Sequence, residues 1–312
     1  MFFRKIRTSI TKLILPFLHK IFELLKANTR VINFLNEKKI NANNIYNFQE
    51  SIEKLLKNKK LIGLDVGAQG GFNSDKFFPE KYNKYFETIL VDPLKDSLKN
   101  RQSNHIINKG LWSSKGTRKL YILNKRPGSS SMYEPNREAL TIYGFKEKDF
   151  HLFDVSKTEM VECDTLSSSL KNLDINILDY LKIDTQGAEL EVLKGLENYR
   201  PLIIKCEVQI FPMYKNVPSW TEITNFLYKL DYMLSDWKKI GPHATRTPVE
   251  MDMVFIPNFL KDSGKKLILQ REKEFISLML VSGQIKLLKK ISKILNLKHS
   301  EHYIKIKDRY FN

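Results

Sequence analysis

Leu61 to Gly71 reads LIGLDVGAQGG, and Thr88 to Pro93 reads TILVDP. The first run is an apolar strand that ends in a glycine turn, and the second is an apolar strand that ends in an acid, Asp92. Glycines let a backbone approach a ligand closely, and a carboxylate at the tip of the next strand can accept two ribose hydroxyls. A helix is expected after Gly71, with its N-terminal amides facing the ligand. A pyrophosphate-binding G-x-G-x-x-G would need glycine where Gln69 and Phe72 stand, so a dinucleotide is disfavoured. Asp65 directly before the turn, with Gly67 and Gly71 inside it, suits a nucleoside cofactor without pyrophosphate, and S-adenosylmethionine is the best fit. A glycine turn closing any buried strand is the plainer alternative.

Outward from this turn, the 312 residues with 42% hydrophobic content suffice for one main core plus appendages. The two cysteines, Cys163 and Cys206, sit in apolar runs, which argues against a disulfide framework or a cysteine zinc site and fits a reducing, cytoplasmic setting. The net charge of +17 is unevenly placed. Residues 1–60 carry 13 Lys/Arg against 4 Asp/Glu and residues 257–312 carry 13 against 5, so the stretch between them is neutral. A neutral body is a poor nucleic-acid groove, and DNA is not an expected partner.

Three segments follow. Residues 1–60 form a basic N-terminal extension in which Phe2, Phe3, Ile6, Ile10, Leu13, Ile14 and Phe17 recur at helical spacing, interrupted by Pro16. Its apolar runs are too short for a membrane span, and no small-residue cleavage site follows. Such a helix can lie on an anionic membrane surface at the inner face, or pack on the domain or on a second subunit in a homo-oligomer. Residues 61–257 alternate strand-like and helix-like runs, which predicts a mainly parallel sheet with helices. Strand candidates are 61–66, 88–91, 106–109, 118–123, 158–163, 180–183, 202–207, 232–236 and 252–256, with helices after Gly71, Asp184 and Pro218. Asn124 to Asn136, NKRPGSSSMYEPN, reads as a loop. Residues 258–312 return to a basic amphipathic pattern that Gly283 divides.

A second informative run is DYLKIDTQGAELEVLKG, Asp179 to Gly195. Its strand ends at Asp184, at the carboxyl edge where open α/β sheets bind ligands, so Asp184 is the first candidate for a general base or a metal ligand. Capping the next helix is its alternative role. Glu189, on the first turn of that helix, either points into the same crevice or complements the helix dipole. Glu207 ends the run PLIIKCE, and a charge there belongs at a strand mouth rather than in the core. Three carboxylates at one edge suit a hydroxyl acceptor or a divalent cation, and no metal ligand set is assigned. His151 and His243 are weaker candidates for activating a hydroxyl. No metalloprotease, serine-hydrolase or P-loop motif occurs.

Taken together, DVGAQGG, GSSSMYEPN, LKIDTQGAELEVLKG, EVQIFPMY and MDMVFIP occur in an order that resembles the FkbM family of S-adenosylmethionine-dependent methyltransferases. The likeness spans Leu61 to Pro257. It implies a Rossmann-like class I methyltransferase fold, mostly a parallel sheet with helices on both faces, and O-methylation of a hydroxyl on a glycan, glycolipid or related secondary metabolite. Carried over by position, Asp65, Gly67, Ala68, Gln69 and Gly71 would surround the methionine part and Asp92 the ribose. Ser130 and Ser131 would lie near the cofactor or acceptor, while Asp184 and Glu189 would face the reacting centre. Gln69 stands where Asn is common, and Ser167 where an Asp often follows Thr-Leu. An RNA ribose methyltransferase and a non-catalytic scaffold of the same fold are the rival readings.

Overall fold

Apolar runs bounded by turn residues become strands in the computed structural model, which describes residues 47–240 and 248–306. The segment 1–30 and His243 lie outside them. In chain order the strands are β1 (Leu61–Val66), β2 (Phe86–Val91), β3 (His105–Ile107), β4 (Gly110–Leu111), β5 (Gly116–Ile122), β6 (Lys157–Asp164), β7 (Tyr180–Ile183), β8 (Ile203–Gln209), β9 (Tyr232–Ile240) and β10 (Glu250–Pro257). Seven of them form one sheet in the order β3-β2-β1-β7-β8-β10-β9. The first five of that order run parallel, and β10 is antiparallel to both of its neighbours.

The register of this sheet positions the site. Val66 pairs with Val91 and with Ile183, and Ile183 pairs with Cys206. The next residue on each strand is Gly67, Asp92, Asp184 or Glu207, so these four stand side by side along the carboxyl edge. Strand alternation sends the side chains of Leu64, Val66, Ile89, Val91, Leu181, Ile183, Ile204 and Cys206 into one core. The helices Leu166–Lys171, Glu189–Lys194 and Trp220–Lys229 pack on that face through Leu166, Leu170, Leu190, Leu193, Ile223 and Leu227.

Three expectations need correction. No helix follows Gly71. The chain instead turns through Asn73 and Lys76, both with positive φ, before a short 3-10 segment at Glu80–Tyr85. The Asn73 side chain takes over the backbone pairing, with Nδ2 donating to Phe78 O (2.7 Å) and Oδ1 accepting from Phe78 N (3.3 Å). This looping lets Phe77 stack on Tyr180 at 5.9 Å and Phe78 on Phe86 at 5.1 Å, so aromatic rings cover the face where a helix was expected.

The second correction concerns the candidate strands at 118–123 and 158–163. They leave the main sheet and pair antiparallel with each other, with β4 alongside β6, in a separate three-stranded sheet. The third concerns the boundaries at 60 and 257, because the compact unit begins at Phe48 and includes the C-terminal helices. In the helix Glu272–Val281 every residue from Phe275 to Val281 is buried, and it packs against the helix Gln49–Leu56. Helices end near Gly283 as expected, and the amphipathic helix Ile285–Leu295 buries Ile285, Leu288 and Ile291. No helix among the described residues is long and apolar enough to cross a membrane.

Candidate active site

Above the carboxyl edge lies a cavity of about 300 Å³. Gly67, Gln69, Gly70, Asp92, Ser131 and Asp184 contribute to its lining, in agreement with the sequence-based expectation. Gly67 has φ +80°, and a Cβ there would stand 1.8 Å from the Asp184 carbonyl oxygen, so the crossing of the turn over β7 requires glycine. Gln69 reaches across and donates from Nε2 to Pro127 O (3.2 Å), which ties the glycine turn to the serine-rich loop. Ser131 Oγ donates to Gln186 O (2.7 Å) and closes that loop onto β7. Asp92 is buried and accepts from Leu94 N (2.8 Å). Burial raises its carboxyl above the ordinary range, against hydrogen bonds that favour the charged form.

Apolar side chains shape one end of the cavity, among them Leu94, Leu111, Leu120 and Met132. Charges shape the other. One register row inside the edge, Asp65 pairs with Lys182 and Lys182 with Lys205. Lys182 Nζ lies 3.0 Å from Asp65 and 3.6 Å from Asp184, while Lys205 is ion-paired to Asp75 and Asp252. Burial opposes the charge on Lys182, but Asp65, Asp184 and Asp75 outweigh it and raise its pKa. Asp65 is pushed up to about 6 by burial despite Lys182, and its Oδ2 has no hydrogen-bond partner. Four aspartates face two lysines, so the floor carries excess negative potential suited to a cation.

Several expected contacts are absent. Asp65 sits beneath the floor, fully buried, and meets the cavity only through Lys182. Ala68 packs with Leu90 and Leu98, and Gly71 closes the turn through its N–H to Ala68 O; neither lines the cavity. Glu189 is buried and accepts from Thr185 N (2.9 Å), Thr185 Oγ1 (3.1 Å) and Gly187 N (3.1 Å), all through one oxygen. It holds the turn after Asp184 in shape and does not line the cavity. His151 is exposed on the segment Glu147–Phe153 and bonds Lys148 O.

Glu207 faces a second chamber of about 380 Å³, beside the first and sharing Gly128 and Gln186 with it. Gln186 Nε2 donates to Asp184 Oδ1 (2.9 Å) and Glu207 Oε1 (3.2 Å), and its Oε1 accepts from Tyr214 OH (3.0 Å). The amide therefore bridges the two edge carboxylates. Burial first, then the charges of Asp184, Glu250 and Asp252, hold the Glu207 carboxyl well above the ordinary range. The three expected carboxylates do not converge on one ion. Among the described residues, the grouping with metal-like spacing is His299, Glu301 and His302, near the C-terminus.

Residues 65–234, more than half of the chain, match the model of the Methyltransferase FkbM domain. The chain belongs to the FkbM methyltransferase family. No curated protein matches it. The seven-stranded, mostly parallel sheet of this FkbM methyltransferase is the class I methyltransferase fold, and its edge residues lie where that fold holds its ligands. Lys182, Asp75, Gln186, Arg126 and Glu250 were missed from the sequence. For Lys182 a signal existed, because a lysine inside the buried run YLKI has to find partners.

Proposed function

We propose that this methyltransferase uses S-adenosylmethionine and acts on a hydroxyl of a glycan, glycolipid or related secondary metabolite. The observation that carries this reading is the pair of adjoining chambers on one sheet edge, one suited to an extended cationic nucleoside and the other lined by carboxylates. The residues of the first fit the cofactor. Leu94, Leu111 and Met132 offer apolar surface to a base, and Asp92 offers a carboxylate to a ribose. Lys182 can take a carboxylate group, while Asp75 and Asp184 favour an ammonium and a sulfonium. Bound there, the cofactor would supply an activated methyl group.

The chain supplies position and a base. Asp184 and Glu207 flank the junction of the chambers, held apart at fixed spacing by Gln186. A hydroxyl seated in the second chamber would lie beside Glu207, whose raised pKa equips it to accept the proton at neutral pH. Holding the oxygen in line supplies much of the acceleration expected of such a site. The acceptor would be met at an anionic membrane surface, for which Lys286, Lys290, Lys293 and Lys298, all exposed on the C-terminal segment, offer a basic strip.

Calorimetry with S-adenosylhomocysteine tests the cofactor reading. Wild type is expected to bind it without added magnesium, and Asp92→Ala to bind about 10- to 100-fold more weakly, the worth of hydrogen bonds to a charged group. Absence of binding by folded wild type would sink it.

A further inference from the structure

The second chamber holds charges that the fold leaves without partners. Glu250, at the start of β10, is 9% exposed and makes no hydrogen bond or ion pair with any side chain or backbone group, although its position lines the chamber. Burying a carboxylate without a partner is costly, and such groups are retained where a ligand completes them. Glu207, on the same wall, has one neutral donor, Gln186. The nearest cation on the lining is Arg126. Its guanidinium is held at 5.2 Å over Phe145 and 4.8 Å over Phe153, and its Nε donates to Ser129 Oγ at 3.2 Å, so it forms an ion pair with neither glutamate. Two carboxylates against one cation leave the chamber net negative.

We infer that this chamber is an ammonium subsite, and that the acceptor is a hydroxyl compound bearing a protonated amine, an amino sugar in a glycan setting, with the ammonium seated between Glu250 and Glu207. Arg126 then faces the acceptor's oxygen atoms. A neutral acceptor would leave one buried carboxylate uncompensated, and an anionic one would add repulsion. The volume of about 380 Å³ suits a single sugar ring with substituents rather than a long chain. That the occupant is the methyl acceptor rests on the methyl-transfer reading; the charge preference does not.

The test is calorimetric titration at neutral pH, with and without S-adenosylhomocysteine, using four probes: methyl glucosaminide, its N-acetyl derivative, methyl glucoside and methyl glucuronoside. The amine should bind at least about tenfold more tightly than the N-acetyl form, the worth of one charge-assisted hydrogen bond, and the glucuronoside most weakly. Glu250→Gln should bring the amine to N-acetyl ratio close to unity while S-adenosylhomocysteine binding is kept. Equal binding of the amine and N-acetyl forms, no binding of the amine, or a ratio that survives both Glu250→Gln and Glu207→Gln overturns the inference. A missing response to S-adenosylhomocysteine with the amine ratio intact would instead overturn the cofactor reading and leave the ammonium subsite standing.

Discussion

Lys182 and Lys205 are register partners on adjacent buried strands, and two like charges in that position persist only because Asp65, Asp184, Asp75 and Asp252 surround them. Removing one member strands the others. Lys182→Met would leave Asp65 buried without a cation and is expected to lower stability by about 3–5 kcal/mol, read by urea unfolding at neutral pH. A loss below about 1 kcal/mol would mean that Asp65 is neutral in the wild type. Glu250 gives a prediction of opposite sign. Burial and then Asp184 push its carboxyl from 4.5 up to about 7, so the folded chain holds more protons than the unfolded one between those values. Its ionisation therefore costs stability as pH rises through that window. Glu250→Gln should match wild type near the lower end and be more stable by ~2 kcal/mol at about pH 8, checked by melting curves across the window. A variant less stable than wild type at the upper end would show that the carboxylate has a stabilising partner.

Elements differed from expectation wherever a remote contact outweighed local pattern. The run after Gly71 lost its helix because Asn73 accepts the left-handed conformation and binds both backbone groups of Phe78, while Phe77 and Phe78 gain aromatic partners on the sheet. The loop also delivers Asp75 onto Lys205. Asn73→Ala is expected to cost about 1–3 kcal/mol and to raise amide exchange across residues 72–78, and exchange unchanged from wild type would refute that role. For β5 and β6 a signal was present and unused. Lys157–Asp164 reads KTEMVECD, with exposed Glu162 between buried Val161 and Cys163, whereas β1 and β7 are nearly continuous apolar runs. Alternation of that kind marks an antiparallel pair with one solvated face.

Across the whole molecule, the basic C-terminal segment serves two physical roles at once. Its apolar faces are spent on the core, with Phe275, Ile276, Leu288 and Ile291 all buried, so these helices cannot insert the same faces into lipid. Any membrane contact they make is electrostatic. Replacing Lys286, Lys290, Lys293 and Lys298 by Glu should weaken flotation with anionic liposomes at low salt, at about 1 kcal/mol for each lysine near the surface. Unchanged flotation would remove this strip from the contact. The amino-acid sequence by itself determined where the central strands end and what stands just beyond them: Gly67, Asp92, Asp184 and Glu207 each follow an apolar run, and such runs are local, additive signals. It also carried the ordered motifs that mark the family. Which carboxylates face a ligand was decided only by tertiary structure. Asp65 and Glu189 turn inward to Lys182 and to the Thr185–Gly187 backbone, while Glu250 joins Glu207 because β10 inserts antiparallel between β8 and β9. Register and strand order bring together residues far apart in the chain, and the burial they create, rather than residue type, fixes which charge is paired and which is left for a ligand.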